Sequence, residues 1–249
     1  MVERAEDHQI SVLRAYTVLS SLQPDWRGAL IVSCGLGSGG SALSVAANIA
    51  GAGCLAIDER PEACRAAMRS GACDFVVNTV DEALRVLKNE IRQRKPVSVG
   101  LTMAPTAALE ELLDRGVLPQ LFTAFRPDAE STGLRTLHSA TFDRAARRFA
   151  AFGSLIVDSD QSFLPSAGVI DAEARLNVFT REHGLHLESF ALASAEELRA
   201  LDDRLMEMIP ATDPRHRWCS AAPRFFHRER PYRRAIFLAE EETRTLRSK

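Results

Sequence analysis

Short apolar runs alternate with helical patterns through the first half of the chain. GALIVSC (28–34), CLAID (54–58), DFVVN (74–78), PVSVGL (96–101) and QLFTAF (120–125) are apolar almost throughout. Between them lie helical stretches: 42–50, rich in small residues; 61–70, opening on a proline; the amphipathic 80–93; and about 106–115, stopped by Gly116. A helix over 10–22 precedes the first run and ends at Gln23-Pro24. Strands that are apolar on both faces and alternate with helices predict a parallel sheet covered on both sides. The pattern continues less regularly with a helix at 142–151, a strand at 154–159, a helix at 171–183, a strand at 187–192 and a helix at 195–208. After Pro210 it gives way to ATDPRHRWCSAAPRFFHRERPYRR, dense in arginine, proline and aromatics, and a last apolar run, AIFLA (235–239). The expected fold class is α/β: a doubly wound, mostly parallel, Rossmann-like sheet with helices on both faces. It is expected as a single domain over 1–249, with a helical lead-in at 1–27 and a distinctive C-terminal segment at 210–249.

The first strand runs directly into Gly35-Leu36-Gly37-Ser38-Gly39-Gly40, which satisfies GxGxxG. In a strand–loop–helix setting the first glycine permits the tight turn and the second lets a phosphate approach the backbone. The third allows close helix–strand packing, and the helix N-terminus points free N–H groups at an anion. Asp58 ends the second strand at the spacing where a carboxylate accepts hydrogen bonds from ribose hydroxyls, with its neighbour Glu59 as the substitute. An unpaired acid there favours NAD over NADP. The same local pattern also serves S-adenosylmethionine, and equally a glycine turn that only packs a helix, with Asp58 as a helix cap. Thr102, Met103, Thr123 and Phe125 fall at carboxyl ends of strands and are expected to line the pocket.

Charge and cysteine usage narrow the partners. A net charge of −2 over 249 residues gives no global field for nucleic acid or an anionic membrane. The opening MVERAEDHQI is acidic and polar, no run is long enough to span a bilayer, and a cytoplasmic location is expected. The five cysteines, Cys34, Cys54, Cys64, Cys73 and Cys219, lack metal-ligand spacing and read as buried free thiols. His183 and His186 have no evident third ligand, so no metal is expected.

The stretch from Gly28 to Gly40 resembles the urocanase (urocanate hydratase) family, at its central NAD-binding region, where a strand enters a Ser-x-Gly-Leu-Gly loop. PVSVGL and AALEELLDRGVLPQLFTA, with the Arg-Gly-Val-x-Pro turn at 115–119, are similar to its next strand, helix and strand. Pro223-Arg224-Phe225 and Pro231-Tyr232-Arg233-Arg234-Ala235 resemble its Pro-x-Phe and Pro-Phe-Arg-x-Ala segments. The departures are Thr102-Met103-Ala104 for His-Gly-Asn, Ala124-Phe125-Arg126 for Asp-Gln-Thr, and Ser38-Gly39-Gly40 for Gly-Gly-Met. The segment with the family's catalytic cysteine is also expected to be missing. The resemblance therefore implies an NAD-binding protein, a lyase acting on a small anionic amino-acid-derived substrate, but not a competent urocanate hydratase. It also implies a homodimer.

Arg126, Tyr232 and Arg233 are the candidates for contacting that substrate, since a guanidinium offers a planar fork of donors to a carboxylate. Within 215–234 the arginines can equally be spent on ion pairs with Glu229, Asp213 or a second subunit. Asp158 and Asp160 end a strand on the ligand-binding side of such a sheet, or serve as turn formers. Two other readings stay open: a transferase or cyclase using S-adenosylmethionine, and a non-catalytic cofactor-binding subunit or sensor. No general base is assigned.

Overall fold

The computed structural model describes residues 7–125, 135–158, 169–227 and 229–247, with the backbone alone over 135–140. Its Cα framework divides into two compact units where the apolar pattern predicts one domain. One is Asp25–Glu173; the other joins the segment ending at Pro24 to the stretch from Ala174 onward.

The chain enters the second of these units first, with α1 (His8–Leu22). The sheet of the 25–173 unit then follows as β1 (Leu30–Cys34), α2 (Ser38–Ala50), β2 (Gly53–Asp58), α3 (Pro61–Ser70) and β3 (Phe75–Val77). It continues as α4 (Val80–Arg92), β4 (Val97–Thr102), α5 (Pro105–Asp114), β5 (Leu121–Ala124), α6 (Arg135–Ala151), β6 (Leu155–Asp158) and β7 (Ile170–Asp171). The strand order is β3-β4-β2-β1-β5-β6-β7, with every pairing parallel. This is the doubly wound, Rossmann-like α/β fold that the continuous apolar runs predict.

Both faces of these strands are covered because both are apolar or small. On one face Leu55, Ile57, Val99, Leu101 and Phe122 pack against apolar residues of α4, α5 and α6. On the other, small side chains let α2 come close: Ser98 Oγ donates to the Ser44 carbonyl at 3.0 Å, and Cys54 Sγ lies 3.8 Å from Ser44 Oγ. The chain winds to one side of β1 through β2 and returns to its other side at β5. The β1–β5 boundary is therefore the topological switch point, where ligands bind at the carboxyl ends of such strands.

The second unit continues with α7 (Ala172–Glu182), β8 (Leu185–Leu192), α8 (Ala195–Met208), α9 (Pro214–Phe226), β9 (Tyr232–Ala239) and α10 (Glu240–Arg247). Here β8 and β9 form a separate antiparallel pair. The burial of β8 alternates along its length, as in a strand with one wet face, unlike the fully buried β1, β2 and β5. The helix α9 is hidden in the sequence by its prolines. Pro214, however, sits in the first turn, where its missing N–H costs nothing, and Asp213 caps that turn by accepting from Arg215 N–H at 2.8 Å. Trp218 anchors the unit: its Nε1 donates to the Ala235 carbonyl at 2.9 Å and its ring lies 5.8 Å from Tyr16. Among the described residues, no helix is long and apolar enough to cross a membrane.

Candidate cofactor site

At the switch point β1 gives way to a turn that only glycine accommodates without strain. Gly35 has φ 98°, in the left-handed region, and its N–H donates to the Ile57 carbonyl at 2.7 Å. Gly37 is the N-cap of α2 and brings no side-chain cap. The first intrahelical bond runs from Ser41 N–H to the Gly37 carbonyl at 2.9 Å. The N–H groups of Ser38, Gly39 and Gly40 precede it, so they have no intrahelical acceptor. An uncapped first turn with exposed Ser38 presents the positive end of the helix dipole and can take an anion.

Two glycines serve the loop's own packing. A Cβ on Gly40 would fall 1.8 Å from the Gly35 carbonyl oxygen, so the helix start and the turn meet backbone to backbone. A Cβ on Gly39 would fall 2.7 Å from the ring of Phe125, which follows β5 and lies against the loop. This is also why α2 begins at Ser38 and not at residue 42: tertiary approach decides against the low helix propensity of glycine.

Asp58 ends β2 beside this turn and is buried, with 4% of its surface exposed. It is not unpaired, which corrects the premise that favoured NAD over NADP. Oδ2 accepts from Leu36 N–H at 2.7 Å and from Arg60 Nη2 at 3.0 Å. Oδ1 accepts from Arg60 N–H at 2.9 Å and from Arg60 Nε at 3.0 Å. Nor does its carboxylate cap α3: the N-cap is Arg60, without a side-chain bond, and Asp58 instead makes a local turn onto the N–H two residues on. Burial opposes ionisation of this carboxyl, but the bonds from the Arg60 side chain and from the two main-chain N–H groups outweigh it. Its pKa is held below the ordinary carboxylate value.

The remaining candidates fall in different places. Thr102 is in register with Asp58, and Met103 N–H donates to the Asp58 carbonyl at 3.2 Å, so both stand at the same strand ends. Thr123 lies inside the sheet, 1% exposed and opposite Ser33 and Val157, rather than at its edge. Glu59 is exposed to solvent. Asp158 ends β6 opposite Ala124, while Arg126 and Asp160 lie outside the described residues. Tyr232 and Arg233 are on β9, in the other unit.

Within that unit Arg215, Arg233 and Arg234 of the arginine-rich segment are spent on ion pairs. Arg233 pairs with Asp7, and Arg234 with Asp202. Arg215 bridges Asp213 and Glu242, each at 2.6 Å. Arg230 sits 3.7 Å over the ring of Tyr232. The five cysteines are free and buried, and burial pushes the Cys54 thiol up to about 11 and that of Cys219 to about 12. They are thiols at neutral pH and poor nucleophiles. Among the described residues, no three His, Cys, Asp or Glu side chains gather to hold a metal ion.

Arg60 is not among the residues that the sequence pattern singles out. The signal was present, since Asp-x-Arg-Pro places the arginine where an aspartate turn captures the second residue's N–H.

Residues 12–127 match the family model described as the urocanase Rossmann-like domain. Among solved structures, benzyl alcohol dehydrogenase from Acinetobacter calcoaceticus is similar at 16% identity with a TM-score of 0.31. That match covers 72% of this chain and 41% of the dehydrogenase, so this chain spans well under two thirds of that structure's length.

Proposed function

Taking residues 12–127 as a urocanase Rossmann-like region, we propose that the 25–173 unit binds NAD⁺ across the β1–β5 switch point. We further propose that the protein is a lyase-type enzyme acting on a small anionic, amino-acid-derived substrate, in the cytoplasm and as a homodimer. The uncapped N-terminus of α2, delivered by the left-handed Gly35 turn, carries the cofactor reading. The residues present fit the pyrophosphate: the N–H groups of Ser38, Gly39 and Gly40 have no intrahelical acceptors, and among the described residues no side chain caps them. Asp58 is the group for the adenosine ribose, and Thr102, Met103 and Phe125 stand at the neighbouring strand ends. When bound, NAD⁺ supplies an electron-poor nicotinamide ring. The loop's own work is to hold the phosphates and fix the direction in which that ring points.

The test is mass spectrometry of small molecules released from the purified protein, together with thermal shifts in NAD⁺, NADH, NADP⁺ and S-adenosylmethionine. Saturating NAD⁺ at about 100 times its Kd should add roughly 2.7 kcal/mol to the native state. Ser38→Asp should abolish that shift without unfolding the protein, because an acid in a first helical turn favours the helix while repelling a pyrophosphate. Stabilisation by S-adenosylmethionine and not by NAD⁺ would replace the reading with the transferase one. Absence of any response would point to a scaffold without a cofactor.

A further inference from the structure

Asp58 has no acceptor capacity to spare. A carboxylate offers about four lone-pair sites, and four donors already fill them: Leu36 N–H, Arg60 N–H, Arg60 Nε and Arg60 Nη2. The two main-chain donors belong to the fold, one fixing the glycine turn and the other the start of α3. The two side-chain donors differ. The Arg60 guanidinium places one N–H on each oxygen, at 3.0 Å from both, and its side chain is 37% exposed over an aspartate that is 4% exposed. Two adjacent ribose hydroxyls would need the same two positions.

We propose that Arg60 is a built-in competitor for the adenosine ribose, and that it sets the affinity and selectivity of the site by occupying the diol positions on Asp58. Binding of a ribose diol displaces the guanidinium from Asp58, an exchange of two hydrogen bonds on the carboxylate for two. The contact between Asp58 and Leu36 is untouched by the exchange, so the loop keeps its shape while the ribose subsite opens. The proposal rests on the cofactor reading above and adds to it that the resting site is closed at its ribose end.

Calorimetric titration of NAD⁺ and NADP⁺ into the wild type, Arg60→Ala and Arg60→Lys tests it. NAD⁺ should bind Arg60→Ala roughly tenfold tighter than the wild type, because apparent affinity falls with the fraction of molecules in the competent state. Arg60→Lys, which keeps the charge but loses the fork, should lie between them. The gain should vanish for an NAD⁺ analogue whose adenosine ribose lacks the 2′-hydroxyl. Equal or weaker NAD⁺ binding by Arg60→Ala overturns the proposal and leaves the cofactor reading standing. Selective loss of NADP⁺ binding in Arg60→Ala also overturns it, making Arg60 a ligand for a 2′-phosphate. Failure of all three proteins to bind either dinucleotide removes both readings.

Discussion

Each unit contains aspartates held by both Nε and Nη2 of one arginine, among them Asp25 with Arg27 and Asp213 with Arg215, and one further pair from each unit serves a different end. Arg60 lies two residues beyond Asp58 and reaches it at 3.0 Å through both nitrogens. Arg234, on β9, reaches Asp202, on α8, at 2.6 and 2.8 Å. The difference is solvent. The Arg60 side chain is 37% exposed, whereas that of Arg234 is 0% exposed and its Nη1 is buried without a hydrogen-bond partner among the described residues. Water can replace the guanidinium of the first pair, while neither member of the second can leave without stranding the other. Two arginine–aspartate forks of like geometry are thus a replaceable contact in one unit and a structural cross-brace in the other. Fork geometry alone does not identify a binding site.

The strongest way to break the comparison is to remove one charge of the buried pair. Asp202→Asn leaves a fully buried guanidinium without a counter-ion and should cost about 3–5 kcal/mol, read as a lower denaturation midpoint. Replacing both partners, with Asp202→Leu and Arg234→Met, should recover most of that loss. A double variant as unstable as the single one would show that the pair holds α8 and β9 by more than its charges. Next in size is Gly40→Ala. Its Cβ would fall 1.8 Å from a backbone oxygen that cannot turn aside, so overpacking should cost at least about 3 kcal/mol. Gly116→Ala is the control: it meets nothing within 4 Å and bears only its left-handed φ of 66°, a cost of about 1 kcal/mol.

Those two experiments also mark what the sequence made legible. The parallel sheet was readable because β1, β2 and β4 are buried on both faces and therefore apolar or small almost throughout. The glycine loop was readable as a turn before a helix. The N-terminal boundary of α2 was not, since propensity argues against Gly39 and Gly40 in a helix and only the approach of the Gly35 carbonyl and Phe125 explains them. The second unit was hidden because its helix α9 carries Pro214 and Pro223, and because α1 joins it from the far end of the chain. Nothing in the composition marks that joint. The arginine-rich segment was readable as charge but not as pairing: which carboxylate meets Arg215 or Arg234 depends on helices that return from elsewhere. At Asp58 the acid was found and its occupant was not: Asp-x-Arg-Pro implies the main-chain bond from residue 60, but the return of its guanidinium onto both carboxylate oxygens is a matter of side-chain geometry.

Acid separates the roles of Asp58 itself. Its folded-state pKa lies below the unfolded value, so its contribution to stability is complete at neutral pH. That contribution is lost as pH falls from about 4 through the folded pKa. Asp58→Asn should cost about 2 kcal/mol at pH 7, the worth of hydrogen bonds to a charged acceptor, and should lose less further stability between pH 5 and 2 than the wild type does. Denaturation midpoints across that range measure both. Parallel pH curves for the two proteins would mean that the carboxylate's charge contributes nothing to the fold.

The smallest effect belongs to Arg60→Ala measured on stability alone. The guanidinium is more than a third exposed and its ion pair is therefore screened, so the loss should stay below about 1 kcal/mol. Asp58 retains the N–H groups of Leu36 and residue 60, which orient it without the side chain. The variant should therefore fold like the wild type, and any change in dinucleotide affinity would then report on the ribose subsite and not on a disturbed loop. A loss approaching that of Asp202→Asn would place Arg60 with Arg234 among the braces of the fold, and the contrast between the two forks would disappear.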